Sequence, residues 1–259
     1  HGGVAVSYNE LTTTSNLTVT GLHSAQYYDI LTAMDNSNII YAGAQDQGLQ
    51  RATTALTPGL LSFNQAISGD YGYLLLSDIY RTLYAQYPGG SYYLFDNATG
   101  NYMTNWTMPG TQKPNYGWML PAKNTYNPVS DTILMAGGNI TGGGGSYLCR
   151  LKIARTSPYA VNTSQYNYDF RSHSNNTTSG ISALESCPAQ PEKLYVATED
   201  GTFFYSNDAG TNWNKSTTFS VGGGWYLYGS TILSSRLTRD LVWYGGSGYG
   251  GAAIFKSTD

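Results

Sequence analysis

Charged residues are scarce in this chain of 259 residues, of which only 11% are Asp, Glu, Lys or Arg. The 13 Lys and Arg are scattered, and the formal net charge is −3. Nucleic-acid binding requires clustered basic side chains, so we expect no nucleic-acid partner. Long apolar runs are also missing, the longest lying near Tyr73–Leu76. A membrane-spanning helix needs about 18 or more apolar residues, so we expect no membrane span.

Cysteine and histidine are almost absent, with two and three residues respectively. Cys149 and Cys187 are too few to define a disulfide framework. Two alternatives stay open for them: one disulfide, if the protein is secreted, or two buried thiols. His1, His23 and His173 are far apart, and neither an HExxH motif nor a paired-cysteine spacing occurs. We therefore expect no metal site and no cofactor.

The chain is rich in Tyr (24) and Gly (31), and short β-rich runs recur along it with turn residues between them. The recurrence has a period of roughly 40 to 60 residues, which is typical of propellers and related arrays. We predict an all-β fold, a β-propeller of about five four-stranded blades plus partial blades, over one domain, 1–259. An alternating β-sandwich is the weaker alternative. The predicted boundaries are a blade remnant at 1–20 and blades at about 21–67, 68–113, 114–177, 178–222 and 223–259.

The stretch Ser206-Asn-Asp208-Ala-Gly210-Thr-Asn-Trp213 follows two β-rich runs that are joined through Asp200-Gly201, a strong hairpin signal. Short Ser and Asp side chains can accept hydrogen bonds from nearby backbone N–H groups, and glycine can adopt a positive φ. We therefore predict a tight polar turn at this stretch. Trp213 is expected to fold back and bury its ring against the hairpin.

Ser206-x-Asp208-x-Gly210-x-x-Trp213 resembles the Asp-box (BNR repeat), a turn motif of secreted sialidase-like, sortilin-like and xyloglucanase-like propellers. Asn212 stands where the family usually has Thr. Ser7-Tyr-Asn-Glu resembles a degraded copy, and Phe255–Asp259 resembles a copy cut short. The chain is therefore expected to be part of a longer one. The runs Gln45-Asp46-Gln-Gly and Gly69-Asp70-Tyr-Gly are also similar to that family.

The resemblance implies where ligands would bind. Turns between the second and third strands of a blade share one face with the connections into the next blade. That face would carry Asp46 and Gln47 beside Asp70 and Tyr71, with Glu199 and Asp200 further round. Aromatic side chains expected near the same connections could stack on sugar rings, namely Tyr27, Tyr28, Trp118, Trp225 and Tyr226.

Two roles stay open for Asp46 and Asp70. They could hold their own turns through bonds to the backbone. Alternatively they could be the two carboxylates of a glycoside hydrolase, which flank the scissile bond. The family's own catalytic pair comes from two separate propellers, whereas these residues belong to neighbouring blades. Sialidase chemistry is not expected, because the Arg-Ile-Pro segment of that family is missing.

Eight Asn-x-Ser/Thr sequons are candidates for N-glycosylation: Asn16, Asn97, Asn105, Asn139, Asn162, Asn175, Asn176 and Asn214. Together with the resemblance, they favour an extracellular or cell-surface location. The expected function is a non-catalytic module that binds glycan or extracellular protein, or that assembles with copies of itself. The alternatives are a secreted glycoside hydrolase acting on plant or algal polysaccharide and a sortilin-like receptor ectodomain.

Overall fold

The computed structural model describes ten stretches of the chain: 5–16, 26–33, 35–54, 63–76, 82–107, 122–124, 131–154, 156–217, 231–246 and 254–258. Regular structure in these stretches is almost entirely β-strand, with one four-residue helix, α1 (Phe170–His173). Within them, no helix is both long enough and apolar enough to cross a membrane. The β-rich composition agrees with this content.

The described strands form six antiparallel sheets. A two-stranded sheet contains β1 (Ala5–Val6) and β2 (Ser15–Asn16). Sheet I contains β3 (Tyr27–Thr32), β4 (Ile40–Ala44), β5 (Gly48–Ala52) and β6 (Asn64–Ile67). Sheet II contains β7 (Leu74–Leu76), β8 (Thr82–Tyr87), β9 (Ser91–Asp96) and β10 (Tyr102–Thr107).

The remaining three sheets follow in chain order. Sheet III contains β11 (Ala122–Asn124), β12 (Asp131–Gly137), β13 (Tyr147–Ile153) and β14 (Val161–Gln165). Sheet IV contains β15 (Ile181–Ser186), β16 (Leu194–Thr198), β17 (Phe203–Ser206) and β18 (Asn214–Lys215). Sheet V contains β19 (Thr231–Ser234), β20 (Val242–Gly245) and β21 (Ile254–Ser257).

Every sheet is a meander, because neighbouring strands in it are also neighbours along the chain. From sheet I to sheet V, the first strand of each sheet contacts the first strand of the next: β3 with β7, β7 with β11, β11 with β15 and β15 with β19. The sheets are therefore arranged around a common axis with their first strands innermost, as the blades of a β-propeller are. The predicted propeller fold is confirmed.

The hydrophobic core is divided among the spaces between neighbouring sheets. Among the described residues, four clusters of buried side chains occur, and each draws its members from two consecutive sheets and the connection between them. The side chains of strand β17 point alternately into two of these clusters. Phe204 is fully buried in the cluster shared with sheet III, whereas Phe203 and Tyr205 face sheet V. One strand thus contributes to two cores, because successive side chains point to opposite faces of a sheet.

The turn after β17 has a dense set of hydrogen bonds around Ser206 and Asp208. The Ser206 hydroxyl oxygen accepts the Gly210 N–H at 2.8 Å, and the Ser206 hydroxyl donates to Asp208 Oδ1 at 2.8 Å. Asp208 in turn accepts the backbone and side-chain N–H groups of Asn212 at 2.9 and 2.7 Å. These bonds from Asn212 lower the pKa of the Asp208 carboxyl. Gly210 has a φ of 87°.

Trp213 is the last residue of this turn, and its ring lies in the space between sheets III and IV. Its indole N–H donates to Gly210 O at 3.1 Å, and the side chain belongs to the core cluster of these two sheets. Its ring lies edge-on to Phe170, with centroids 4.8 Å apart, and to Tyr166, at 6.3 Å. The turn therefore positions an aromatic side chain that seals the groove between two blades.

The turn between β1 and β2 repeats this hydrogen-bond pattern with different residues. Ser7 Oγ accepts the Leu11 N–H at 2.9 Å, and Asn9 Oδ1 accepts the Thr13 N–H at 2.9 Å. Glu10 and Leu11 have φ values of 54° and 65°, where the later turn has Ala209 at 56° and Gly210 at 87°. An amide oxygen can thus replace the carboxylate, and leucine can replace glycine, in the same turn.

A charged pair joins the first strands of sheets III and IV. Lys123 Nζ lies 3.3 Å from Glu185 Oε2, and the Glu185 side chain is only 3% exposed. Burial raises the pKa of the Glu185 carboxyl, and Lys123 opposes that shift. On β3, burial also raises the pKa of Asp29, whose Oδ2 accepts the Leu74 N–H at 2.8 Å. Strands β3 and β15 therefore each carry a carboxylate whose burial is partly offset by a lysine or by backbone N–H groups.

Candidate functional site

The turn between β4 and β5 projects Asp46 and Gln47 from sheet I. The Gln47 N–H donates to Gln45 O at 2.7 Å, and Asp46 has a φ of 62°. Gly48 follows with a φ of 77°, and a Cβ placed on it would lie 1.9 Å from Ile67 O. The close approach of β6 therefore requires glycine at this position.

We expect Gly48→Ala to lower the free energy of unfolding by about 2–4 kcal/mol, because left-handed strain and a backbone overlap add together. Gly142→Ala is the matched control, since Gly142 has a φ of 99° but no heavy atom within 4 Å of an added Cβ. That variant should lose only about 1 kcal/mol. Urea unfolding followed by circular dichroism measures both. Equal losses of unfolding free energy in the two variants would show that the overlap of the added Cβ with β6 does not contribute to stability.

Asp70 lies beside this turn, as the sequence predicts. Its Oδ1 accepts the Asp46 N–H at 2.7 Å, and Gln47 forms a parallel bridge with Gly69. The Tyr71 N–H donates to Ala44 O at 3.1 Å, which ties the connection between sheets I and II to the same turn. The Asp70 carboxylate therefore performs the turn-holding role that the sequence left open beside catalysis.

A surface of amide and phenol groups surrounds this turn. We name it the amide–tyrosine patch and define it by Tyr27, Tyr28, Gln45, Gln47, Gln50 and Gln65. Hydrogen bonds connect its members: Tyr28 Oη to Gln45 Oε1 at 2.7 Å, Tyr27 Oη to Gln50 Oε1 at 2.8 Å, and Gln65 Nε2 to Gln47 O at 2.8 Å. Planar amides and rings held in fixed orientations are suited to recognising hydroxyl-rich ligands.

Three members of the patch, Gln45, Gln50 and Gln65, are not among the residues predicted from the sequence. Gln45 and Gln50 could have been found from the sequence, because positions 45, 47 and 50 place three glutamines within six residues. Tyr27 and Gln65 are exposed, and the Tyr27 ring lies 6.3 Å from that of Phe63. The accessible part of the patch is therefore the part formed by β3 and β6.

Tyr71 does not belong to this surface, so its predicted ligand-binding role is wrong. The residue is 1% exposed and lies in the core between sheets I and II. Its ring packs edge-on against Tyr87 and Tyr93, with centroids 5.6 Å away in both cases. Burial raises the pKa of its hydroxyl. The side chain fills the space between blades instead of facing a ligand.

Glu199 and Asp200 occupy the corresponding turn of sheet IV. Asp200 Oδ2 accepts the Asn176 N–H at 2.6 Å, and Oδ1 accepts the Thr202 N–H at 3.1 Å. Burial alone would raise the pKa of Asp200, but its hydrogen bonds outweigh that effect and lower it. Glu199 Oε2 accepts the Gly180 N–H at 3.0 Å. Both carboxylates thus hold the turn to the connection that precedes the sheet.

Three of the predicted binding residues, Trp118, Trp225 and Tyr226, lie outside the described residues. Within the described part, no group of three or more His, Cys, Asp or Glu side chains could hold a metal ion. His173 stacks on Tyr168 with ring centroids 4.3 Å apart.

Cys149 and Cys187 are both free and buried, so the disulfide alternative is wrong. Cys149 packs between sheets II and III, whereas Cys187 packs between sheets IV and V. The other alternative, two buried thiols, describes them. Burial raises the pKa of the Cys149 thiol to about 12.

The sequons differ in accessibility. Asn97 is fully buried, and its amide donates to Asp35 Oδ1 at 3.0 Å, so a glycan at Asn97 is incompatible with this fold. Asn139 is half-buried and accepts the Thr141 N–H at 3.0 Å. The side chain of Asn16 lies outside the described part of the chain. The exposed sequons are Asn105, Asn162, Asn175, Asn176 and Asn214.

A cavity of about 690 Å³ lies between sheets IV and V, at a place that the sequence did not predict. Aromatic rings from both sheets line it, together with lysine, hydroxyl and amide groups, namely Lys193, Tyr195, Phe203, Tyr205, Asn207, Lys215, Ser216, Thr217, Val242, Tyr244, Phe255, Lys256, Ser257 and Thr258. The apolar residues at alternate positions, Phe203 and Tyr205 on β17 and Val242 and Tyr244 on β20, are the sequence signal of its apolar walls.

No protein-family model matches the chain, and no curated protein matches it. Among solved structures, the chain is similar to the β-propeller domain of Cps50 (Swd1) from Myceliophteria thermophila. The two share 9% sequence identity with a TM-score of 0.64, over 92% of this chain and 71% of that one. At this identity the likeness shows the β-propeller fold alone.

Proposed function

We propose that the chain is a non-catalytic, extracellular β-propeller of the Asp-box type, and that it binds glycan through the amide–tyrosine patch. The observation that carries the proposal is the use of the Asp70 carboxylate to hold the Asp46 N–H at 2.7 Å, within a surface of amides and phenols. Such a surface offers hydrogen-bond donors and acceptors to sugar hydroxyls.

The Asp-box assignment is supported by the turn at Ser206–Trp213 and by its repetition at Ser7–Thr13. The extracellular location is supported by the exposed sequons and by the low charge, because binding through amides and rings depends little on salt. Protein partners and assembly with copies of this chain are compatible with the same fold, since propellers present rigid faces. The glycan assignment rests on the side chains of sheet I.

Binding to a panel of plant and algal polysaccharides tests the proposal, by affinity electrophoresis and then calorimetry with the oligosaccharide of the best binder. Tyr27→Ala and Gln65→Ala should each weaken binding about tenfold, a loss expected for one aromatic face or one well-placed hydrogen bond. Tyr102→Ala is the control, because Tyr102 is a half-exposed ring on sheet II. Binding that none of these changes affects, or no binding at all, would overturn the proposal.

The hydrolase alternative is tested with the same polysaccharides. An Asp46→Asn/Asp70→Asn double variant keeps an oxygen that can accept the Asp46 N–H, so the turn should persist. We expect both proteins to bind equally and to release no reducing sugar. Oligosaccharide release that the double variant loses would instead identify the two aspartates as the carboxylates of a glycoside hydrolase.

A further inference from the structure

The fourth strand of a four-stranded sheet is its outer edge. In sheets II, III and IV the strands β10, β14 and β18 lie at the end opposite the first strand, and among the described strands each pairs with one neighbour. A strand in this position exposes a row of backbone N–H and C=O groups, to which another chain can add a strand. The outer strands are therefore the places at which edge-to-edge association of two propellers would begin.

Two of these outer strands lack the usual protection of an edge. Natural edge strands often carry charged residues, especially Lys, or Pro, which oppose the addition of a further strand. Strand β10 reads Tyr-Met-Thr-Asn-Trp-Thr and β14 reads Val-Asn-Thr-Ser-Gln, with neither a charged residue nor a proline in either. An uncharged six-residue segment rich in aromatic and β-branched residues, such as β10, is typical of aggregation-prone sequences. Of the three strands, β18 alone contains a lysine, Lys215.

Each of the three outer strands contains one exposed sequon asparagine. Asn105 lies on β10, Asn162 on β14 and Asn214 on β18. These strands are only two to six residues long, yet they contain three of the eight sequon asparagines. An N-linked glycan is bulky and hydrophilic, so on an outer strand it would block the approach of a second strand.

Four other sequon asparagines, Asn97, Asn139, Asn175 and Asn176, lie in turns and connections between strands. Asn97 is buried, and Asn139 is half-buried. Asn175 and Asn176 are exposed in the connection between sheets III and IV, where Asn175 Oδ1 accepts a hydrogen bond from Lys215 Nζ at 2.6 Å. This exposed pair is away from the outer strands, so it provides a comparison for the three asparagines that lie on them.

We propose that Asn105, Asn162 and Asn214 carry N-linked glycans that shield the outer edges of sheets II, III and IV and prevent edge-to-edge association of propellers. The inference rests on the extracellular location in the proposed function, because N-glycans are characteristic of secreted proteins. The outer strand of sheet I, β6, reads Asn-Gln-Ala-Ile and has no sequon. Gln65 of the amide–tyrosine patch lies on that strand, so the three glycans would leave the ligand-binding sheet uncovered.

The modification needs a lipid-pyrophosphate-linked oligosaccharide, which the secretory pathway supplies as the co-reactant. The asparagine Nδ2 loses a proton and forms a bond to the anomeric carbon of the first sugar. The bond from that carbon to the pyrophosphate oxygen breaks, and the lipid pyrophosphate leaves with its electron pair. The asparagine Oδ1 stays in the product as an amide oxygen.

Site mapping of the full chain, secreted from a eukaryotic cell, tests the assignment. Enzymatic removal of N-glycans in heavy-oxygen water converts each glycosylated asparagine to a mass-labelled aspartate. We expect label at Asn105, Asn162 and Asn214 and none at Asn97. Absence of label at any of the three would overturn the assignment. Label at Asn97 in the folded monomer would also overturn it, since accessibility in the fold would then not select the sites.

An Asn105→Gln/Asn162→Gln/Asn214→Gln triple variant tests the role of the glycans. Size-exclusion chromatography with light scattering should show that the secreted variant associates at a concentration at least about tenfold lower than the unmodified protein does. Asn175→Gln/Asn176→Gln is the matched control, and it should associate no more than the unmodified protein. Equal association of the triple variant and this control would overturn the shielding role.

A second comparison separates loss of the glycans from the change of side chain. When produced in bacteria without glycosylation, the unmodified protein and the triple variant should associate equally, because exposed Asn→Gln changes have little effect on folding. Thermal melts establish that each protein is folded. Stronger association of the bacterial triple variant would overturn the proposal, because the side chains and not the glycans would then be responsible.

This inference and the proposed function can fail separately. The same secreted protein is tested for binding to the polysaccharide panel. Polysaccharide binding without label at the three asparagines would overturn the present inference and leave the amide–tyrosine patch as a glycan site. Label at the three asparagines without polysaccharide binding would overturn the glycan-binding function and leave the shielded edges.

Discussion

Trp213→Ala should lower the free energy of unfolding by about 3–5 kcal/mol, the range measured when a buried aromatic side chain is truncated in a core. The indole fills the groove between sheets III and IV, where it packs against Phe170 and donates to Gly210 O at 3.1 Å. The loss combines apolar area returned to water with a void that rigid neighbouring sheets cannot close. Urea unfolding, followed by circular dichroism, measures it.

Two further variants make this experiment specific. Trp213→Phe keeps a ring but loses the indole N–H, so about half of the stability loss is expected. Leu237→Ala removes an apolar side chain that is 93% exposed and should change stability by less than about 0.5 kcal/mol. A Trp213→Ala protein as stable as the Leu237→Ala protein would mean that the groove does not depend on its indole.

Lys123→Met should lower the free energy of unfolding at pH 7 by about 3 kcal/mol, because it leaves a buried carboxylate without its partner. Glu185 is 3% exposed and lies 3.3 Å from Lys123. The value is at the lower end for buried pairs, because the lysine side chain is 37% exposed. Arg236 and the Ser186 N–H give Glu185 some remaining stabilisation.

The pH dependence of this variant has a definite sign. Burial raises the pKa of Glu185 above the usual 4.5 of a glutamate, and loss of Lys123 removes a charge that opposes this. A carboxyl with a raised folded-state pKa gives stability that is present below its unfolded pKa and is lost as the pH rises through the folded value. The variant should therefore approach the stability of the unmodified protein near pH 4 and diverge from it toward neutral pH.

A Glu185→Gln/Lys123→Met double variant is the control. It has no carboxylate at position 185, so it should recover much of the lost stability at pH 7 and show little dependence on pH between 4 and 7. Unfolding by urea at several pH values gives the comparison. A Lys123→Met protein whose deficit is the same at pH 4 and pH 7 would show that packing of the lysine stem, and not the charge, is responsible.

Local signals in the sequence predicted much of the fold. Asp200-Gly201 between two β-rich runs indicated the hairpin of β16 and β17, and the spacing of Ser206, Asp208 and Gly210 indicated the turn after it. These features depend on residues within about ten positions of each other, where side-chain chemistry and φ preferences act directly. The adjacency of Asp46 and Asp70 required one further step, the order of strands in a propeller.

Features that depend on the facing sheet were not predictable in the same way. Tyr71 follows Asp70 directly, and the sequence placed both on the ligand face. The tyrosine instead turns toward Tyr87 and Tyr93, because a large ring gains more by filling the space between sheets. The cavity between sheets IV and V depends on how side chains about 40 residues apart meet, and no pattern within one strand specifies that.

The division of the core between pairs of sheets determines how distant parts of this molecule influence each other. Each buried cluster belongs to two consecutive sheets and the connection between them. Among the described residues, contacts between first strands link sheet I to sheet IV through sheets II and III. Free energies of separated sites add when they share no contacts. Substitutions in the core between sheets I and II and substitutions in the core between sheets IV and V should thus have additive effects on the free energy of unfolding, because these two cores share no residues.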